Sequence, residues 1–301
     1  TDKYGPRLIY ALLLALCSIP CFMFAVSSDF EQAALSRFLL GFIGAGFVIG
    51  IRMVSEWFPA KELGIAEGIY GGWGNFGSAA AAMTLPSLAL YFGGDNGWRY
   101  AVAITGLLSL GFSVIWYLNV KDTPQGSTFF KSRVAGAMIV TSRYDFFLLM
   151  LMKLPMYGAL ALLTLKLSPS GVNLFTGQNT LLIYFALLML FVVDVIQTYK
   201  VNAQVFKVKV PVTQQYKFKQ VAILNVLYFA TFGSELAVVS MLPLFFAETF
   251  GLDMVFAAML ASTYALMNVM SRPGGGWLSD KYGRKRTLLL LTVGLALGYF
   301  A

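Results

Sequence analysis

Histidine is absent from the 301 residues, and cysteine occurs twice. Without imidazole there is no Ser-His or Cys-His nucleophile pair, no His-ligated metal and no imidazole proton relay. Cys17 and Cys21 lie inside one apolar run, which excludes a secreted disulfide framework and a paired-CxxC zinc site. Charge is scarce as well. Asp, Glu, Lys and Arg make up 12% of the chain, against roughly 25% in a soluble domain. Soluble globular and disordered classes fail on that shortage. What fills the chain instead is apolar surface, 58% of residues, so the composition is that of an integral membrane protein. No nucleophile–base pair and no metal cluster is visible, so an enzyme is not expected, nor is a cofactor.

A hydrocarbon core of about 30 Å takes roughly 20 apolar residues per helix. Runs that meet or approach this cover 8–26, 33–58, 64–92, 100–120, 146–167, 180–199, 221–246, 254–278 and 287–301. The fifth is the weakest, because Lys153 and Pro155 interrupt it. The alternation of a β-barrel is missing, so the expected fold is an all-α helix bundle.

The net charge is +8, which in a soluble protein would suggest nucleic acid. Its distribution says otherwise. Taking the connections alternately, one set holds Lys3, Arg7, Lys61, Lys121, Lys131, Arg133 and Arg143. The same set continues with Lys200, Lys207, Lys209, Lys217, Lys219, Lys281, Arg284, Lys285 and Arg286. The opposite set holds Arg99 and Lys166, and Arg37, Arg52, Lys153 and Arg272 sit within apolar runs. The basic set belongs in the cytoplasm of a multi-pass protein of the cell (plasma or inner) membrane. The charge therefore reports topology; nucleic acid is not expected, nor is an obligate protein partner.

The chain opens Thr-Asp-Lys-Tyr without a Met, and its last apolar run is short. The reading is an internal piece of a longer transporter-sized chain, with no signal peptide in view. Asp2-Lys3-Tyr4-Gly5 recurs as Asp280-Lys281-Tyr282-Gly283. Both copies precede an apolar run and both are followed by basic residues, as in the internal repeats of secondary transporters.

Gly276-Trp277-Leu278-Ser279-Asp280-Lys281-Tyr282-Gly283-Arg284-Lys285 resembles the G-x-L-x-D-[RK]-x-G-[RK]-[RK] loop of the major facilitator superfamily. That loop lies between helices 2 and 3 and again between 8 and 9. Asp2 to Arg7, with Gly5, is similar to the tail of the first copy, and Gly97-Trp98-Arg99 is also typical. A narrower resemblance is to the nitrate/nitrite porter family. Gly71-Gly72-Trp73-Gly74-Asn75-Phe76-Gly77 resembles its helix 5 signature, and the stretch from Ser55 to Lys61 its helix 4–5 corner. The stretch from Tyr228 to Ser234 resembles its helix 7, and Ser271-Arg272-Pro273-Gly274-Gly275 its helix 8. Helices 4, 5 and 7 read most like cyanobacterial-type nitrate permeases. The resemblance covers 2–120 and 221–301.

This resemblance implies a major-facilitator bundle. The N-terminal half would occupy 1–120 (helices 3 to 6), a central insertion 121–220 with a hydrophobic hairpin at 146–199, and the C-terminal half 221–301 (helices 7 to 9). The family has no such hairpin between helices 6 and 7. Parity requires that both its helices cross or neither does: it either spans the bilayer or lies at the cytoplasmic interface. The implied function is alternating-access transport of nitrate and nitrite, coupled to protons or to nitrite exchange. The alternatives are a transporter of another small anion and a non-transporting helical scaffold.

Nitrate is planar, monovalent and unprotonated in the physiological range, and a guanidinium matches it in charge and geometry. Arg272 lies eight residues before Asp280, about 12 Å along a helix. Charge at that depth is costly and reads as functional; the plain alternative is a snorkelling side chain. The resemblance implies an anion ligand, with a second Arg on a helix 2 that this chain does not include. Asn75 sits among Gly71, Gly72, Gly74 and Gly77, where small residues let helices approach, and its amide suits a nitrate oxygen. The resemblance adds Gly72, Gly74 and Gly274 to the substrate site, Tyr228 and Phe232 as ring-and-hydroxyl walls, and Phe47 as a further wall. Packing is the plain alternative for all three rings. Glu235 is a candidate proton carrier or a structural carboxylate. Arg52 and Glu56 form an i,i+4 pair. Asp2, Gly5, Arg7, Gly276, Asp280, Gly283, Arg284 and Lys285 are candidate gating-loop residues, whose charges would hold the cytoplasmic helix ends together in one access state; the plain alternative is an ordinary positive-inside loop, which explains the charges but not Gly276 or Gly283.

Overall fold

The structure, a computed structural model, describes residues 3–127, 138–207, 210–211 and 215–300. Asp2 of the first loop, with Lys131, Arg133 and Lys209, lies outside them. Among the described residues the chain is all-helical: α1 (Pro6–Val26), α2 (Phe30–Leu40), a 3-10 turn (Gly41–Gly44), α3 (Ala45–Trp57), α4 (Leu63–Phe92), α5 (Gly97–Asn119), α6 (Arg143–Leu167), α7 (Gly177–Lys207), α8 (Phe218–Phe250), α9 (Met254–Tyr282) and α10 (Arg284–Phe300).

Local chemistry sets many of the ends. Asp29 caps α2 by accepting from the Gln32 N–H at 2.8 Å, Ser142 caps α6 and Asp253 caps α9. Gly283, at φ +89, ends α9 in a conformation that a side chain would strain. Two details differ from the pattern of apolar runs. The run 33–58 is interrupted by the 3-10 turn at Gly41–Gly44, where glycines weaken helix propensity. Conversely, α6 continues unbroken through Lys153 and Pro155. Among the described residues, seven helical stretches are long and apolar enough to cross a membrane: α1, Phe30–Trp57, α5, α6, α7, α8 and α9. The glycine-rich α4, 30 residues long, and the 17-residue α10 stand outside that count.

The chain forms two compact units, 1–131 with 234–301, and 132–233. In the first, α1 and α5 run side by side. Ser113 donates to the Ala11 carbonyl at 2.8 Å, Ser109 to Leu14 at 2.9 Å, and Arg99 to Ala25 at 2.9 Å. These pairs run in opposite chain directions, so the helices are antiparallel. The pair α4 and α9 is antiparallel too, and glycine sets its spacing. A Cβ on Gly68 would lie 2.9 Å from Pro273 Cα, and one on Gly72 would lie 2.9 Å from the Val269 carbonyl oxygen. At Gly276 a Cβ would run into the Gly64 carbonyl. Only glycine permits this backbone contact.

The second unit holds α6, α7 and the first part of α8 around Val140, Leu149, Phe218 and Ala222. Asn202, fully buried, accepts from the Val140 N–H at 2.7 Å and donates to the Met138 carbonyl at 3.0 Å. This amide fastens the start of the hairpin to α7. Between α6 and α7, Lys153 Nζ lies 2.5 Å from Asp194 Oδ1 and 2.7 Å from Thr198 Oγ1, with the Tyr157 hydroxyl 3.4 Å from Asp194 Oδ2. The charge that made the fifth run look weak is thus held against an opposite charge on the next helix.

Candidate functional site

Arg272 stands midway along α9, on the face that meets α4. Its guanidinium lies over Gly71: a Cβ there would be 3.0 Å from Arg272 Nη1. Arg272 Nη2 donates to both carboxylate oxygens of Glu235, at 3.0 and 2.9 Å. Both side chains are three-quarters or more withdrawn from the surface. The expected anion ligand and the expected proton carrier are therefore in direct contact. Spacing along the chain gave no sign of this, since the two lie on different helices.

Asn75 follows Gly71 by one turn of α4. Its Nδ2 is buried and has no hydrogen-bond partner. One other buried side-chain nitrogen among the described residues shares that condition, Asn268 Nδ2, one turn before Arg272 on α9. Sequence reading passed over Asn268. The available signal was its four-residue spacing from Arg272, which puts both on one helix face.

The glycines divide into two kinds. Gly71 and Gly72 are buried against α9. A Cβ at Gly74 or Gly274 would meet nothing within 4 Å. Phe47 stacks on Tyr70, ring centres 6.0 Å apart, and the Tyr70 hydroxyl donates to the Gly46 carbonyl at 3.3 Å; this joins α3 to α4. Tyr228 and Phe232 belong to the second unit, where their rings stack nearly parallel, centres 5.0 Å apart and planes 7° from each other. The Arg52–Glu56 pair forms within α3 at 3.0 Å.

The loop residues act on helix starts. Asp280 accepts from the Ile65 N–H at 3.0 Å, one of the donors at the α4 N-terminus that the helix itself leaves unused. The charges of Arg284 and Asp280 both act on Glu67, the next turn of α4. Asp122, after α5, does the same for α1, accepting from the Arg7 N–H at 2.8 Å. Gly5, at φ +83, lies so close to Asp122 that a Cβ would collide with the carboxylate. Arg7 also donates from Nε to the Tyr117 carbonyl at 2.7 Å and stacks on the Tyr117 ring. Each helix start is thus closed by a carboxylate from a distant helix end, with charge complementary to its dipole.

Residues 1–301 match the Major Facilitator Superfamily. The chain is 43% identical to the nitrate/nitrite transporter NrtP of Nostoc punctiforme over 305 residues, which is 99% of this chain and 61% of that protein. It is 44% identical to NrtP of a Picosynechococcus species, over 99% of this chain and 60% of that protein. A probable nitrate/nitrite antiporter of Thermus thermophilus is 26% identical over 98% of the chain. The chain spans about three fifths of the length of the first two relatives. No solved structure matches it.

Proposed function

Because this chain belongs to the Major Facilitator Superfamily, a family of multi-pass membrane proteins, we propose that it forms part of a secondary transporter of nitrate and nitrite working by alternating access. The relatives named above are nitrate/nitrite transporters. The observation that carries the reading is the contact of Arg272 with Glu235. A carboxylate is a planar, delocalised oxyanion whose two oxygens have much the same bite as those of nitrate or nitrite. A guanidinium that holds one has the geometry to hold the other. Glu235 then competes with the anion for Arg272. Protonation cancels its charge, and the guanidinium turns to the incoming anion. One proton entering with one anion makes the step electroneutral, so a negative-inside potential, about 2.3 kcal/mol per charge per 100 mV, no longer opposes uptake. Exchange for nitrite is the second reading, favoured by the antiporter name of the Thermus relative.

The membrane is the cell membrane, with the basic connections in the cytoplasm. The hairpin of α6 and α7 crosses it. Both helices exceed the roughly 20 residues needed, neither carries the charged face of an interfacial helix, and Lys153 is neutralised by Asp194.

The test is uptake by the full-length protein in cells lacking nitrate transport. Wild type should restore nitrate and nitrite uptake, and Arg272→Lys, which keeps the charge and loses the fork, should cut it at least about tenfold. Undiminished uptake by Arg272→Lys would remove Arg272 from the site. Glu235→Gln should abolish acid-stimulated uptake; nitrate-driven proton entry, read as internal acidification, that persists in it would end the coupling.

A further inference from the structure

The antiparallel register of α4 and α9 places Asn268 at the same anion site. Gly71 on α4 meets the Arg272 guanidinium on α9. One helical turn forward on α4 is Asn75, and one turn back on α9 is Asn268, so the same step along the pair brings these two residues opposite each other. The contact between Gly72 and the Val269 carbonyl, 2.9 Å from a Cβ, confirms that the helices stay closely packed there. Both amides have their Nδ2 atom buried and without an acceptor. An amide nitrogen carries two N–H donors, and leaving them unpaired away from water is costly. Tyr264, a further turn back, lies beside Asn268, but not in hydrogen-bond geometry with its amide nitrogen.

We propose that Asn268 is a substrate-binding and specificity-determining residue, its amide joining that of Asn75 and the Arg272 guanidinium as a three-donor cradle for a planar oxyanion. The assignment rests on the transport reading given above. It explains two orphaned donors with one acceptor-rich ligand that carries no proton and no donor of its own. It also sets a preference. Nitrate presents three oxygens and nitrite two, so the third donor favours nitrate.

The test uses the full-length protein, purified for thermal unfolding with nitrate or nitrite and reconstituted in vesicles for uptake. Asn268→Leu keeps the approximate shape and removes both donors. It should raise the half-saturating nitrate concentration about tenfold or more, the size expected for a hydrogen bond to an anion, and that for nitrite at most about threefold. Tyr264→Phe should leave the ratio unchanged. Equal shifts for both anions, no shift, or a Tyr264→Phe variant that reproduces Asn268→Leu overturns the assignment. Should the Leu variant fail to reach the membrane, Asn268→Ala, which also carries no donor, decides by the same ratio. Stabilisation by nitrate that is lost in Arg272→Lys and kept in Asn268→Leu overturns Asn268 alone. A wild-type protein that neither anion stabilises, and that carries neither, overturns the transport reading with it.

Discussion

Gly68 and Gly74 are six residues apart on α4 and meet opposite surroundings. A Cβ at Gly68 would press on Pro273 Cα and on the Arg272 backbone, whereas one at Gly74 meets open space. Backbone cannot turn aside as a flexible side chain can, so Gly68→Ala should force α4 from α9 and cost about 1–3 kcal/mol. Gly74→Ala should leave stability unchanged or raise it by up to about 1 kcal/mol through helix propensity. Thermal unfolding of the two full-length variants in detergent checks the contrast, and equal midpoints would refute the packing argument. At the same scale, Arg272, Asn75 and Glu235 stand out as candidates in the sequence because charge and amide are conspicuous in apolar helices. Asn268 does not stand out there, because one Asn in a run of Ala, Leu and Met carries no motif beyond its four-residue spacing from Arg272; its burial without a partner is what distinguishes it.

The hairpin is where element-scale reasoning changes most. Lys153 and Pro155 weaken the run by any local measure, yet α6 is continuous, since Lys153 finds Asp194 and Thr198 on α7. Lys153→Met should strand the Asp194 charge and destabilise by about 2–3 kcal/mol. The double variant Lys153→Met with Asp194→Leu should recover most of that loss, because replacing a whole ion pair by apolar groups is far less costly than breaking it. A double variant no more stable than either single one, measured by thermal unfolding, would sink the pairing. Topology has its own test. A cysteine at Val172, two-thirds exposed beyond the end of α6, should react with an impermeant reagent from outside if the hairpin crosses, and labelling only from the cytoplasm would refute crossing. Gly171 is the poorer site, because a Cβ there would run into the Lys166 carbonyl.

At the scale of the whole molecule, two helix starts, those of α1 and α4, are closed by carboxylates from far along the chain. Asp280 reaches Ile65, 215 residues away, and Asp122 reaches Arg7, 115 residues away. Asp280→Ala would leave the Ile65 N–H without this acceptor and loosen the basic end of the α4–α9 pair, at about 1 kcal/mol, as for a lost N-cap. That end is distant from Arg272 along α9. The expected result is therefore a maximal uptake rate lowered several-fold with half-saturation little changed; the reverse pattern would assign Asp280 to substrate binding instead of to holding these helix ends together. The loop motif was legible as a cluster of charges, but its partner was not, because the Ile65 amide belongs to no motif.

Composition and run length determined by themselves that this is a multi-pass helical membrane protein. Those properties depend on solvent: burying helix after helix in hydrocarbon constrains every residue of the chain and so leaves its record everywhere in the sequence. Which side chains meet was decided by the tertiary structure alone. The Arg272–Glu235 contact and the Lys153–Asp194 pair each join two helices. Their register follows from which glycines allow backbones to touch, a property of the packed pair that neither helix carries on its own.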